Sequence, residues 1–217
     1  MVALYEKIRP QTIDEVVGFR DAVEQLTTLR DTIGWGGQVF WISGGSGNGK
    51  TTLARIIAAE VSTEFETEEV DAQDVTLEML REFERRCIYY PTKEAYALIV
   101  NEAHTMSSRV ISRLQTLVET EQVQRRGTII FTTTEKGQQR LFDTRFDAFP
   151  FLSRAIIVDL KLDEQTLSDL AVHLQTVARS LKMDGKPIES YIELLAQNQG
   201  NVRSALQAIA SGKMRAA

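Results

Sequence analysis

At 217 residues the chain has room for one large domain or a core with a small satellite, and its 43% hydrophobic and 25% charged residues, 13 glycines and 4 prolines exclude disordered, collagen-like and low-complexity classes. The single cysteine, Cys87, excludes an internal disulfide and any Cys-rich zinc module, and between Arg86 and Ile88 it reads as a core side chain rather than a reactive thiol. A net charge of −5 provides no global field for nucleic acid, so any such contact must be local.

Taken in chain order, the N-terminus lacks the apolar run of a signal peptide, and no stretch reaches the ~18 apolar residues of a membrane span, so a cytoplasmic protein is expected. Ala22 to Ile33 reads as a helix closed by Gly34, Gly36 and Gly37, and Val39–Ile42 as a short buried strand. A Gly-rich turn leads into a helix over Lys50–Val61, with Leu53, Ile56, Ile57 and Val61 at helical spacing. The acidic run from Glu60 to Asp71 reads as a solvated loop or strand edge. Thr76–Tyr89 is expected to be helical, Ala97–Val100 a buried strand, Ser108–Thr120 a helix, and Gly127–Thr132 and Ala155–Leu160 two further strands. Strands separated by helices predict parallel crossovers, hence a three-layer α/β fold with its ligand at the carboxyl ends of the strands. After Leu162 only helical patterns remain, at 163–181, 188–197 and 201–211, with a turn at Asp184–Pro187. The expected division is an α/β core over 1–162 and an all-helical unit over 163–217.

Gly44-Gly45-Ser46-Gly47-Asn48-Gly49-Lys50-Thr51 fits the phosphate-loop pattern G-x-x-x-x-G-K-[ST] between a strand and a helix, followed by Thr52. Glycines let successive N–H groups turn toward phosphates, and the helix N-terminus adds partial positive charge. Lys50 is expected to reach the β and γ phosphates of ATP, and the Thr51 hydroxyl to bind Mg²⁺. The apolar strand 97–100 ends in Asn101-Glu102-Ala103-His104. Glu102 is placed to orient and deprotonate an attacking water. Asn101 stands where nucleotide hydrolases carry an aspartate, so it offers the metal an acceptor without negative charge, and slow hydrolysis or an ATP-bound structural role is expected. His104 reads as a loop side chain rather than a metal ligand, since His173, the other histidine, is far away in sequence.

The segment Tyr5-Glu-Lys-Ile-Arg9-Pro10 through Asp14-Glu15-Val16-Val17-Gly18 resembles the N-terminal signature of clamp-loader ATPases of the AAA+ class, both replication factor C small subunits and the bacterial gamma/tau subunit. That resemblance implies an adenine pocket lined by Arg9, Pro10, Val17 and Gly18. Further matches follow in family order up to residue 206. Residues 101–119 resemble the segment running from the magnesium strand into a helix that faces DNA, which implies backbone contacts from Ser107, Ser108 and Arg109; within 104–113, His104, Arg109 and Arg113 occur without an acid. Thr132-Thr133-Thr134 resembles the end of the sensor strand, with Thr134 as the polar position. Leu152-Ser153-Arg154 resembles the Ser-Arg-Cys motif with Ala155 in place of the cysteine, which makes Arg154 an arginine finger acting in trans on a neighbouring subunit. Gly200-Asn201-Val202-Arg203 resembles the second sensor of the helical lid, with Arg203 contacting the γ-phosphate in its own chain.

The resemblance thus implies an ATPase working in an oligomer on DNA, and a sliding clamp as partner. The helix carrying Leu77, Met79, Leu80 and Phe83 lies where the family touches its clamp, with ordinary core packing as the other reading. The aromatic-rich stretch 142–151 is expected at a subunit interface or on the core. The collar domain and zinc module of clamp loaders have no counterpart in these residues, so partners are expected to be recruited by another route. Two rivals stand beside this reading, another AAA+ DNA motor or helper of the branch-migration or transposition type, and a non-catalytic ATP-bound subunit. A small P-loop kinase fits poorly, because it explains neither Arg203 nor Arg154.

Overall fold

The computed structural model describes residues 3–134 and 152–215. Among them, five strands form one sheet: β1 (Val39–Gly44), β2 (Thr67–Asp71), β3 (Tyr96–Asn101), β4 (Gly127–Thr133) and β5 (Ile156–Leu160), in the order β2-β3-β4-β1-β5 with every pairing parallel. The central strands β1, β3 and β4 are almost continuously apolar because helices cover both faces. Alternation divides their side chains between two cores. Phe40, Ile42, Ile99 and Ile130 pack with Leu53, Ile56 and Ile57 of α3 (Lys50–Val61), whose bounds match the sequence expectation. On the opposite face Trp41, Leu98, Val100 and Phe131 meet Leu80 and Phe83 of α4 (Leu77–Arg86) and Ile111 and Leu114 of α5 (Ser108–Leu117). The Trp41 and Phe131 rings lie 5.7 Å apart, centroid to centroid.

The sequence reading expected four strands, and the fifth, β2, lies in the acidic run. A strand carrying Glu68, Glu69 and Asp71 is tolerated at a sheet edge, where one side stays open to water. The expected helix over 76–89 stops at Arg86. Pro91 disfavours helical backbone at Tyr90, and Cys87 N–H closes the last turn on the Phe83 carbonyl. Leu80 and Phe83 are core residues, whereas Leu77 and Met79 are half-buried. Cys87 is buried, and desolvation pushes its thiol up to about 12, the signature of an inert core cysteine. The expected helix over 108–120 ends at Leu117, and a separate short helix, α6 (Glu121–Arg126), leads into β4.

Two further helices precede the sheet, α1 (Leu4–Lys7) and α2 (Arg20–Thr32). Three follow it: α7 (Glu164–Ser180), α8 (Ile188–Gln197) and α9 (Val202–Ala210). Asp163 caps α7 by accepting from Thr166 N–H at 2.7 Å, and Asn201 caps α9 by accepting from Ser204 N–H at 2.9 Å. Leu170, Leu174, Leu194 and Ile209 from these helices share one apolar cluster with Phe19, Leu26 and Leu53, so the helical segment is packed onto the α2/α3 side of the sheet. No helix among the described residues is long and apolar enough to cross a membrane. The stretch 142–151 lies outside the described residues.

Candidate functional site

The loop after β1, the N-terminal arm and the helices after β5 enclose a cleft of about 1190 Å³, open solvent included, which is ample for a small-molecule ligand. One end is polar, formed by residues 46–52 and Glu102. The other is largely apolar, with Ile8, Val16, Val17, Leu170 and Leu206.

The polar end is built by backbone conformation. Gly47 and Gly49 have φ of 78° and 90°, and Lys50 starts α3, so the helix N-terminus points at the loop. A Cβ on Gly49 would meet nothing within 4 Å, which leaves that position facing open space. A Cβ on Gly47 would lie 2.0 Å from Asn201 Oδ1, so the loop is seated directly against the cap of α9. Lys50 is only 7% exposed, and its Nζ donates to the Gly44 and Gly45 carbonyls at 3.1 and 2.8 Å. Asn48 is buried with its Oδ1 unpaired among the described residues. A glycine cradle open to the cleft, a helix N-terminus and a buried ammonium form a donor set suited to phosphate.

Beside the loop, Thr51 Oγ1 donates to Asn101 Oδ1 at 3.1 Å, and Thr132 Oγ1 donates to the same oxygen at 2.9 Å. Asn101 Nδ2 donates to Glu69 Oε1 at 2.9 Å. Burial works to raise the Glu69 carboxyl, but hydrogen bonds from Arg55 and Asn101 bring it below the usual range. Hydroxyl and amide oxygens with a carboxylate behind them are hard ligands of the kind Mg²⁺ takes while it keeps waters and phosphate oxygens. No cluster of three or more His, Cys, Asp or Glu able to hold a metal alone occurs among the described residues. Glu102 has φ of 52°, a strained value for a residue with a side chain, and it lines the cleft half-exposed, with Oε2 3.6 Å from His104 Nδ1. His104 Nδ1 also lies 3.1 Å from Thr133 Oγ1.

Of the residues singled out from the sequence, Arg9, Pro10, Val17, Ser46, Gly47, Asn48, Gly49, Lys50, Thr51, Thr52, Glu102 and Arg203 line this one cleft, although they span 195 positions. Arg9 is fastened to α3 by a hydrogen bond to Thr52 Oγ1 at 3.0 Å and is ion-paired with Glu6, whose carboxyl it holds below the usual range. The Arg203 guanidinium stacks on the Tyr5 ring at 5.2 Å. Gly18, expected in the base pocket, lies outside the lining. Its φ of 78° and the approach of Thr166, 3.0 Å from where a Cβ would sit, account for the glycine, and Phe19 lines the cleft instead. Gly44 and Gly45 contribute through the carbonyls that hold Lys50.

Thr134 is half-buried just past β4 and outside the lining, whereas Thr132 is the β4 threonine joined to Asn101. Arg154 is exposed, outside the lining, and ion-paired with Glu119. Ser107, Ser108 and Arg109 are exposed at the start of α5, while Arg113 pairs with Glu84 and leaves the basic character of that stretch to Arg109. Sequence reasoning missed Tyr5, Ile8 and His173 in the cleft. Burial lowers the His173 imidazole below its usual range, so it is neutral near pH 7.

Comparison with known families decides the class. The profile of the ATPase family associated with various cellular activities (AAA) matches residues 40–150, just over half of the chain. The chain belongs to the AAA family. Similar AAA folds are found among solved structures. Thermotoga maritima RuvB, described as a Holliday junction branch migration motor, is 20% identical with a TM-score of 0.66, covering 94% of this chain and 64% of that one. A point mutant of that RuvB gives 22% and 0.68, covering 94% and 65%. Replication initiator DnaA bound to AMPPCP and single-stranded DNA gives 18% and 0.68, covering 95% and 66%. The chain thus spans about two thirds of the length of these structures, and at such identities the likeness establishes the fold. No curated protein matches the chain.

Proposed function

We propose that this AAA protein is an ATP-binding and ATP-hydrolysing subunit of a clamp-loader-like complex in DNA replication, with residues 1–162 as the ATPase core and 163–217 as its lid. The observation that carries the nucleotide part is Lys50, buried beneath a glycine loop whose Gly49 faces the open cleft. The clamp-loader part rests on the residue patterns at 5–18, 101–119, 152–154 and 200–203. The likeness to RuvB, a branch migration motor, and to DnaA, a replication initiator bound to AMPPCP and single-stranded DNA, supports a DNA-linked ATPase more broadly.

In this reading the loop N–H groups and Lys50 hold the phosphates, and the base lies toward Arg9, Pro10, Val17 and His173. Thr51 and Asn101 would hold Mg²⁺, which when bound offsets phosphate charge. Glu102 orients the attacking water and accepts its proton. Thr134 or its neighbour Thr132 senses the γ-phosphate side, and Arg203 leaves Tyr5 to meet it. Arg154 supplies positive charge to a neighbouring subunit's site, where negative charge develops on the transferred phosphoryl. Ser107, Ser108 and Arg109 face duplex phosphates at the N-terminus of α5. With Leu80 and Phe83 committed to the core, a clamp contact on α4 falls to Leu77 and Met79.

One observation favours a second reading. Asn101 carries no charge, as expected of a subunit that holds ATP as a structural switch rather than turning it over.

Lys50→Ala tests the shared premise. Loss of a charge-assisted contact to phosphate is expected to weaken ATP binding about 100-fold, measured by calorimetry on protein whose circular dichroism is unchanged. Unaltered affinity would remove the loop from the site.

A further inference from the structure

The amide at Asn101 reads from sequence as a lost carboxylate. Its surroundings say that the carboxylate has moved. Glu69, on the edge strand β2, accepts from Asn101 Nδ2 at 2.9 Å through Oε1. An ionised carboxylate only accepts hydrogen bonds, so the nitrogen of the Asn101 amide must face Glu69 and its oxygen must face Thr51 and Thr132. Glu69 is itself clamped by a bidentate pair with Arg55, at 2.7 and 3.0 Å. Arg55 stands one helical turn beyond Thr51 on α3, so a single helix face supplies both the hydroxyl at one end of this chain and the guanidinium at the other.

We propose that Glu69 is a positioning residue that supplies the carboxylate charge of this metal corner one strand away, fixing the Asn101 oxygen toward Thr51, and that Asn101 is an amide because Glu69 occupies the space against it. An aspartate at 101 would oppose two acceptor-only groups across a hydrogen-bond distance, with Arg55 the cation hydrogen-bonded to Glu69. Residues 69 and 101 therefore form one unit in which a single carboxylate is tolerated, and restoring the usual aspartate is harmful unless Glu69 is neutralised too.

This rests on the Mg²⁺-nucleotide reading of the cleft, and the test separates the two. The variants are Asn101→Asp, Glu69→Gln, their combination, and Glu69→Ala. The readouts are the thermal midpoint of the nucleotide-free protein and the affinity for AMPPCP with Mg²⁺ and with EDTA.

Asn101→Asp is expected to lower the nucleotide-free midpoint by about 3 °C or more, and to cut the Mg²⁺ enhancement of AMPPCP affinity about tenfold, the usual scale for disturbing a residue behind a metal ligand. Glu69→Gln in the Asn101→Asp background restores both, because the Gln amide can donate to the new carboxylate. Glu69→Ala alone loses about tenfold of the Mg²⁺ enhancement and leaves affinity in EDTA unchanged. If Asn101→Asp equals or exceeds the parent in both readouts, whether or not Glu69 is changed, the proposal is overturned. If the parent binds no AMPPCP under either condition, the nucleotide reading fails, and coupling in the nucleotide-free midpoints still decides whether 69 and 101 act as one unit.

Discussion

Replacing Arg154 with alanine is expected to lower ATP turnover about 1000-fold, the scale of an arginine finger, while affinity for ATP stays within about twofold. The asymmetry follows from position. Arg154 is exposed, lies outside the residues that line its own cleft, and reaches Glu119 on the surface beyond α5. In the proposed trans role, a guanidinium there would serve a site on another subunit, where it would meet charge that develops only as the phosphoryl is transferred. Mixing gives the sharper form of the experiment. In the proposed roles, Lys50→Ala protein keeps its finger but binds ATP about 100-fold more weakly, and Arg154→Ala protein binds ATP but has no finger to lend, so the mixture should recover turnover that neither has alone. Equal loss of binding and turnover in Arg154→Ala, or a mixture as inactive as its parts, would contradict the assignment.

Gly47→Ala is expected to be the most damaging small substitution in the loop. Its φ of 78° is unfavourable for any side chain, and the new Cβ would lie 2.0 Å from Asn201 Oδ1. Strain and clash together amount to about 3 kcal/mol, a fall in thermal midpoint of roughly 10 °C for a chain of this size. Gly49→Ala is the control. It has a comparable φ of 90° but meets nothing within 4 Å, so only the backbone cost of about 1 kcal/mol applies, or roughly 3 °C. Because the clash is with the cap of α9, Asn201→Ala should relieve part of the Gly47→Ala defect even though it removes the cap bond to Ser204 N–H. Strictly additive midpoint losses in the double variant would show that the loop and α9 are not seated on one another.

Those residues also show what was legible in advance. The phosphate loop and α3 were readable because their geometry is local: glycine spacing, a following lysine and an apolar stripe need no distant partner. The central strands were readable for a related reason, since burial on both faces leaves an unbroken apolar run. The edge strand β2 was only half legible, its acidic run reading as a solvated loop or a strand edge, because one open side lets it carry Glu68, Glu69 and Asp71, a composition shared with loops.

Within the site, most of what was missed depends on register or on chain-distant packing. Val100 pairs with Phe131, which sets Asn101 beside Thr132, and only the strand order reveals that neighbour. Tyr5 and His173 enter the cleft because α1 and α7 fold over it from opposite ends of the chain. His173 gave no signal at all in sequence, being one polar residue on an otherwise ordinary helix. Gly18 failed in the opposite way. The resemblance put it in the base pocket, yet the glycine serves the approach of Thr166 rather than the ligand.

The measurement that bears most directly on the whole account is the solution mass by light scattering, with and without a non-hydrolysable ATP analogue and primed DNA. If Arg154 acts in trans and the cleft binds ATP, the nucleotide should shift the protein from smaller species to a closed oligomer of defined subunit number. A chain that stays monomeric at saturating nucleotide, with and without DNA, would contradict it.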